Sequence, residues 1–417
     1  VAGADIMSTS GEPGAGTSIR IRGTRSISAS NEPLIVVDGI MDAVSDINDI
    51  NPADIESISI LKDASSTAIY GARGANGVVV VTTKSGSRRN RTDVTFDSYI
   101  GVRKIAKKLD VLSPYEFVLA DYERTVLDAS ADISKFTNKY GDFADIETNY
   151  RGRKGIDWQE ETLGRNAVVQ NYRVGVNGTS DRVRYNMAYT YFKEQGAMVY
   201  SGNEKHNISF SLNHKISERL SVSARLSYDQ RKIKGMGTAG NGDSGTGDRF
   251  NKMQHILQYR PTYGIKGDDS VLLAGEDPAL ADDSGNVMQN PLISASEETK
   301  DKVYRTIQAN GGFTFQIWKG LSFRNTTGMR YQTRRFDIFF GDQSVTAKRT
   351  SINGSIQNTE IGSFQTSNVL NYNFERGDHS LTAMLGQEWV SSWNQMFKAS
   401  ATNFPNDEIG LADLSLG

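Results

Sequence analysis

The stretch "RLSVSARLSYDQ", residues 219–230, alternates apolar and polar side chains with a period of two. In a β-strand, successive side chains point to opposite faces of the sheet, so this pattern requires one apolar and one polar environment. The apolar positions are Leu220, Val222, Ala224, Leu226 and Tyr228, and the polar positions are Ser221, Ser223, Arg225, Ser227 and Asp229.

The same alternation recurs along most of the chain after Thr92. "VRYNMAYTY" at 183–191 and "NISFSLNHK" at 207–215 repeat it. Segments of this length exceed the five or six residues that are typical of strands in soluble sheets. The pattern predicts antiparallel strands near 93–103, 166–177, 182–193, 204–216, 219–232, 303–318, 321–335, 359–374 and 379–397.

The connections between these strands alternate in length. Those at 177–181, 217–219, 319–320 and 375–378 are short, whereas 104–165, 233–302 and 336–358 are long. Outer-membrane barrels show short periplasmic turns, long external loops and aromatic residues near the strand ends. The pattern therefore favours a transmembrane antiparallel β-barrel over a large soluble β-domain with an aromatic core.

Composition agrees with this interpretation and excludes several others. No run of 18 apolar residues is available for a transmembrane helix, but barrel strands need only about 9–11 residues each. The chain has no cysteine, four histidines and a net charge of −2, which argues against thiolate metal sites and bulk attraction to nucleic acid. No catalytic motif of the serine-hydrolase, zinc-protease or kinase type occurs, so we expect no enzyme activity and no cofactor.

The first 86 residues follow a different pattern. "TSIRIRG" and "PLIVVDGI" read as strands, with a turn at Asp38-Gly39, and Ile55 to Leu61 reads as another. Asp63 is placed as a helix N-cap, a helix is expected near 64–70, and "GVVVVTTK" closes as a strand. The sequence thus predicts a small mixed α/β unit at 1–86 and a barrel region at 87–417.

Residues 1–86 also resemble a known family. The segments "IRIRG", "NEPLIVVDG", "DIESISILKDASSTAIYGARGANGVV" and "TTK" are similar, in order and spacing, to the plug domain of SusC/RagA-type TonB-linked outer-membrane transporters. The resemblance implies a plug folded inside a barrel of about 22 strands, of which about nine are present. We therefore expect the sequence to be truncated at both ends, with the TonB box upstream of Val1.

The family resemblance also implies a function and partners. Such transporters sit in the bacterial outer membrane, import nutrients with energy from TonB and are capped by a SusD-like lipoprotein. An oligosaccharide is the favoured substrate, with peptides, or a siderophore or cobalamin, as alternatives. A structural or adhesive β-protein without transport is the alternative from a different class.

The glycines at 71, 74 and 77 raise the question of a phosphate-binding loop. A dinucleotide fingerprint needs strand, glycine loop and then helix, so that the phosphate meets a helix N-terminus. Here the order is helix, glycines and then strand, so the loop follows the negative end of the helix dipole. The glycines are better explained by a tight return of the chain.

A charged set in the plug region is the candidate functional site. Inward barrel residues such as Arg184, Arg225, Arg324 and Glu388 are polar, so the plug should meet the barrel through polar contacts. We expect charge pairs to hold the plug shut. The candidate plug-motif and contact residues are Arg20, Arg22, Gly23, Arg25, Asp38, Gly39, Glu56, Lys62, Asp63, Tyr70, Gly71, Arg73, Gly74 and Gly77.

The long segment 233–302 contains two acidic pairs, Asp268-Asp269 and Asp282-Asp283. Carboxylates suit calcium, but no EF-hand spacing is present, so a solvated external loop is the favoured interpretation. Tyr122 and Tyr140 either stack on a substrate or pack within a loop.

Overall fold

A computed structural model shows three sheets in the described residues, of nine, four and two strands, with a set of helices at one end of the largest sheet. It describes residues 4–8, 11–24, 26–27, 30–41, 44, 46–84, 91–128, 131–235, 252–265, 267, 269–274, 290–344, 347, 350–377 and 379–417.

The N-terminal unit, residues 4–84, is a mixed α/β fold. A four-stranded sheet has the order β4-β3-β6-β5, in which β3 and β6 are parallel, and β1 pairs only with β2. The elements are β1 (Ala4–Ser8), β2 (Thr17–Ile21), β3 (Leu34–Val37), β4 (Ile40–Met41), β5 (Ile55–Leu61), α1 (Ala64–Thr67) and β6 (Val78–Thr83), with 3-10 turns at Ile47–Asp49, Pro52–Asp54 and Ala68–Gly74.

β-Branched residues build the core of this unit. Ile21, Val37 and Val81 are among its buried residues, and they belong to three different strands. Gly77 has φ 91°, and a Cβ there would lie 2.7 Å from Cδ1 of Ile21, so the close approach requires glycine. The predicted helix near 64–70 is a single α-helical turn followed by the 3-10 turn.

From residue 91 onward, the described strands form one antiparallel sheet of nine in sequence order, which confirms the predicted fold. The observed strands extend the predicted ones at several ends. They are β7 (Thr92–Arg103), β8 (Ala167–Thr179), β9 (Val183–Gln195), β10 (Gly202–Lys215), β11 (Leu220–Lys234), β12 (Glu298–Trp318), β13 (Leu321–Phe340), β14 (Asn353–Arg376) and β15 (His379–Thr402).

The two faces of this sheet differ in chemistry. Directly opposed residues share a face, so the register assigns whole rows. One row reads Arg173, Thr190, Asn207, Asp229, Thr306 and Gln332 across six strands, and Arg173 in it contacts the N-terminal unit. We call this the inward face. The outward face carries apolar rows such as Val176, Met187, Phe210 and Leu226.

The long connections leave the sheet at one end, which we call the loop end. They are not plain loops, because they contain α2 (Pro114–Leu127), α3 (Ile133–Tyr140), α4 (Ile146–Tyr150), α5 (Trp158–Leu163), α6 (Lys252–Gln258), α7 (Ser270–Ala274) and α8 (Pro291–Glu297). Trp158, Ile256 and Leu272 are buried together, so the connection between β7 and β8 shares one core with the connection between β11 and β12. None of the described helices is long and apolar enough to cross a membrane.

Candidate functional site

The N-terminal unit meets the inward face through a buried ion pair. Arg173 on β8 donates from Nη2 to Oδ1 of Asp54 at 2.7 Å, and both side chains are only 6% exposed. Ser209 donates to the other oxygen of Asp54 at 3.0 Å. Asp97 lies 3.7 Å from the same guanidinium but is 66% exposed. A buried carboxylate with two donors and a paired cation is a fixed contact whose disruption leaves a charge unpaired.

Local sequence positions Asp54 for this contact. Asn51 caps the 3-10 turn Pro52–Asp54 by accepting from the amide of Ala53, and proline occupies the first position of the turn. The Nδ2 of Asn51 donates to Oγ1 of Thr190 at 2.7 Å. The "NPAD" turn therefore both presents Asp54 to the sheet and contacts the sheet itself.

A second contact forms at the tight turn after β3. Asp38 and Gly39 have φ of 51° and 87°, as a two-residue hairpin turn requires. Asp38 accepts from the amide of Thr83 at 2.9 Å and from its hydroxyl at 2.6 Å. Arg225 on β11 donates to Asp38 at 3.0 Å and also contacts the hydroxyl of Thr83. The turn is thus held to β6 and to the sheet together.

A third contact involves the first 3-10 turn. Lys205 on β10 donates to the carbonyls of Asn48 and Asp49, at 2.8 and 3.1 Å. Its ammonium also lies 3.6 Å from Asp229, and Arg231 lies 3.6 Å from the carboxylate of Asp49. Carbonyl oxygens at the end of a turn carry partial negative charge, which suits a lysine.

Polar contacts without an ion pair extend the interface along the sheet. The amide of Gly14 donates to Glu194 at 3.0 Å, and Glu194 also pairs with Arg103 at 2.7 Å. The amide of Met41 donates to Oε1 of Gln365 on β14 at 3.1 Å. The N-terminal unit is therefore attached from β8 to β14.

The described ion pairs between the N-terminal unit and the sheet have one polarity. Asp54, Asp38 and Asp49 come from the N-terminal unit, and their partners Arg173, Arg225 and Arg231 come from the sheet. The hypothesis from sequence emphasised arginines on the unit instead. Of its candidates, Asp38 lies at the interface described above.

Five other charged candidates lie elsewhere on the unit, whereas Arg73 borders cavities between the unit and the sheet. Arg22 pairs with Asp63 at 2.6 Å, with both side chains about half or more exposed at 49% and 69%, so this pair joins β2 to the start of α1. Arg20 donates to Thr24 at 3.4 Å and Glu56 is exposed. Lys62 is half-buried. A role for these residues in gating stays a prediction, and Arg25 lies outside the described residues.

The glycine segment is a tight return that lies against α1. Gly71 is non-helical, with φ 56°, inside the 3-10 turn. A Cβ on Gly74 would lie 3.0 Å from the carbonyl of Thr67. Burial raises the pKa of Tyr70 above its usual 10.0. Gly23 has φ 83° at the end of β2. The chain runs from helix to glycines to strand, as the sequence predicts.

Arg73 borders two cavities between the unit and the sheet. One of about 200 Å³ is lined by Ile40, Met41 and residues of β12 to β15, and one of about 720 Å³ is lined mostly by the unit. Arg330 on β13 lines both cavities as well. Both arginines therefore border the space between the N-terminal unit and the sheet.

One group of three carboxylates could hold a cation among the described residues. Oxygens of Glu297, Asp342 and Asp407 lie within 4.8 Å of one another at the loop end. Desolvation raises the pKa of Asp407, whose oxygens accept from the amide of Asp342 at 3.0 and 2.9 Å. Exposed acidic groups are common without a metal, so we assign none here.

The loop residues singled out by sequence have protein partners where they are described. Asp269 accepts from Arg153, from Thr262 and from the amide of Tyr263. The other members of the two acidic pairs, Asp268, Asp282 and Asp283, lie outside the described residues. Tyr140 is buried with Phe136, and Tyr122 packs on Phe136 and Phe143.

Several interface residues were not predicted from the sequence. They are Asp54, Asp49, Arg173, Lys205 and Glu194. The alternation does place Arg173 and Lys205 on the polar face of their strands, and a charge on that face is a signal for such a contact. The two aspartates lie in short turns, where the sequence does not show which way a side chain points.

The family model described as the TonB-dependent receptor plug domain matches residues 1–78. A TonB-dependent receptor of Formosa agariphila is 29% identical over 418 residues, covering 100% of this chain and 38% of the relative. SusC of Bacteroides thetaiotaomicron, also a TonB-dependent receptor, is 31% identical over 250 residues, covering 57% of this chain and 23% of SusC.

Solved structures show the same fold. A structure of the RagAB peptide transporter matches with a TM-score of 0.78 at 24% identity, covering 100% of this chain and 47% of that one. The ferric citrate transporter FecA matches with a TM-score of 0.54 at 11% identity, covering 96% and 45%. The chain thus spans less than half the length of these relatives.

Proposed function

Because the chain belongs to the SusC/RagA type of TonB-dependent outer-membrane receptors, we propose that it gates the import of a nutrient oligomer. The N-terminal unit is the plug, the inward face lines the lumen, and the loop end faces the outside. Energy from the TonB complex loosens the plug from the wall. The protein is a transporter and not an enzyme in this proposal.

The interface between plug and wall is the observation that carries the proposal. Buried or half-buried charge pairs at Asp54 and Asp38 hold the plug, yet the interface is polar rather than an apolar core. Polar interfaces between domains resemble transient ones and permit relative motion. A plug that must leave and return fits such an interface.

The relatives support the proposed partner and leave two substrate classes to test. RagAB is a peptide transporter, so peptide stands beside the oligosaccharide that the sequence resemblance favours. We favour the oligosaccharide because the inward face of β14 and β15 carries neutral hydroxyl and amide side chains that are half-buried or exposed, such as Thr359, Ser363 and Asn394. A SusD-like lipoprotein covers the loop end, and it should copurify with the full-length receptor.

A disulfide across the interface tests gating. This chain has no cysteine, so Asn51→Cys with Thr190→Cys adds one cysteine pair to it, where the side chains now share a 2.7 Å hydrogen bond. In cells expressing the full-length receptor, we expect the oxidised variant to lose uptake of labelled oligosaccharides released from the growth polysaccharide. Dithiothreitol should restore uptake.

Matched controls separate the outcomes. Each single cysteine variant should transport normally, and deletion of tonB should abolish uptake in all of them. A labelled tryptic peptide pool, tested in parallel, distinguishes the peptide class. Uptake that persists in the oxidised double variant, or without tonB, would refute the proposal.

A further inference from the structure

The inward face of β12 to β15 carries a cluster of cationic side chains on the side of the plug that faces the loop end. The row at the height of the plug contact Arg231 reads Arg231, Tyr304, Arg334, Thr359 and Met396. The next row toward the loop end reads Lys302, Phe336, Gln357 and Lys398. Lys300 follows two residues above Lys302, and Arg330 lies below Arg334 on β13.

Acidic residues of this region lie on the other face. From the Arg330 row to the loop end, Glu298 is the one carboxylate among the described inward positions of β12 to β15. Asp301, Asp337 and Glu360 alternate onto the outward face, where Asp337 pairs with Arg335 at 2.8 Å. The described inward positions of these strands in this region therefore carry five cations and one carboxylate, whereas the outward positions mix both signs. A wall of one sign raises the local concentration of ligands of the other sign.

Aromatic rings lie among these cations. Tyr304 has the guanidinium of Arg231 at 4.8 Å and that of Arg334 at 5.9 Å from its ring centroid. Lys302 lies 5.0 Å from the ring of Phe336. These contacts hold the long side chains along the wall, so less rotamer freedom is lost when an anion binds.

The spacing requires an extended ligand. Neighbouring strands lie about 4.8 Å apart and alternate residues on one strand roughly 6.6 Å apart, so the cations are distributed over about 20 Å of wall. A small single anion reaches one of them at a time. A ligand with acidic groups along its length reaches several. Hydroxyl and amide groups between the cations, at Thr359, Ser363 and Asn394, match sugar hydroxyls.

We propose that this wall, which we call the cationic lane (Lys300, Lys302, Arg330, Arg334 and Lys398), binds a carboxylate-bearing oligosaccharide above the plug. The lane leads to the two cavities that Arg73 and Arg330 both line, so an acidic chain that follows it arrives at the plug edge. This inference rests on the proposed transport function and names its substrate class.

Binding to the purified full-length receptor tests the inference. The probes are trigalacturonic acid, its uncharged methyl ester and a triglutamate peptide, measured by isothermal titration calorimetry. We expect the acid to bind, the ester to bind at least tenfold more weakly, and added salt to weaken the acid alone. The variant Lys302→Gln with Arg334→Gln should weaken the acid roughly tenfold.

Arg335→Gln is the matched control, because Arg335 neighbours Arg334 but lies on the outward face. It should leave binding unchanged. Failure of the acid to bind, equal binding of the ester, or an equal effect of Arg335→Gln overturns the inference. Tighter binding of triglutamate than of the sugar acid overturns the saccharide assignment. A receptor that imports neutral oligosaccharides in a TonB-dependent manner but ignores these acids keeps the proposed function and refutes this inference.

Discussion

The buried pair of Asp54 and Arg173 gives the sharpest prediction about plug seating. Asp54→Asn removes the negative charge and leaves Arg173, which is 6% exposed, without its close partner. Breaking a buried pair from one side costs about 3–5 kcal/mol. Asp97 lies 3.7 Å from the guanidinium and compensates in part, and the new amide still accepts a hydrogen bond. We therefore expect Asp54→Asn to destabilise the seated state of the plug by the low end of this range, about 3 kcal/mol.

Hydrogen–deuterium exchange on the full-length receptor measures this effect. Each 1.4 kcal/mol is a factor of ten, so a loss of about 3 kcal/mol raises the unseated population roughly a hundredfold. Amides of residues 47–62, which open with the contact, should exchange faster by about that factor where exchange follows the seating equilibrium. Peptides from β10 should be unaffected.

Two further variants decide whether charge burial is the cause. Asp54→Asn with Arg173→Gln leaves no buried unpaired charge, so most of the protection should return. Asp63→Asn breaks a pair whose side chains are 49% and 69% exposed, and it should change exchange less than fivefold. Unchanged exchange in Asp54→Asn, or a double variant worse than the single one, would refute the reasoning.

Three other perturbations follow from the structure. Gly77 has φ 91°, and an alanine Cβ there would lie 2.7 Å from Cδ1 of Ile21. Gly77→Ala should therefore destabilise the plug by roughly 1–3 kcal/mol and speed its cleavage by chymotrypsin. Gly39→Ala is the control for the backbone cost alone, because Gly39 has a similar φ and open space around it. Lys205→Met leaves Asp229 without its cation and should accelerate exchange at 46–50 by the equivalent of about 2–3 kcal/mol, whereas unchanged exchange would contradict the contact. Hydrogen bonds from Ser113 lower the pKa of Glu116 below 4.5. The support that Glu116 gives to α2 is therefore present above about pH 4.5 and is lost as the pH falls through the lower pKa of the folded state. Hydrogen exchange in α2, corrected for intrinsic rates, should show this loss, and Glu116→Gln should abolish the pH dependence.

The strands of the large sheet were predictable because each one alternates between two solvents. For β11 the prediction of 219–232 differs from the observed Leu220–Lys234 by one or two residues at each end. β14 was predicted from 359 and begins at Asn353, because it continues beyond the alternating segment toward the loop end. Alternation weakens there since both faces meet polar surroundings.

The helices of the long connections and the contacts of the plug were harder to predict from the sequence. Helix α2 begins with a full capping box at Ser113 and Glu116, which is a local signal for a helix in the sequence. Asp54 is different, because its partner Arg173 lies 119 residues away. A turn gives no periodic pattern to show its direction, so that pairing emerges only when the unit is placed against the wall.

The isolation of the β1–β2 hairpin has a mechanical consequence. β1 pairs with β2 and with no other described strand, while β2 contributes Ile19 and Ile21 to the core. Tension reaching the plug from its N-terminal side would peel β1 away one residue pair at a time, a low-force geometry. A further attachment of this segment to the sheet is the hydrogen bond from the amide of Gly14 to Glu194. Fully extended, the stretch from Ala4 to Gly14 reaches roughly 35 Å, more than the thickness of the hydrocarbon layer, so its N-terminal end can be displaced while the buried aspartates still hold the plug to the sheet.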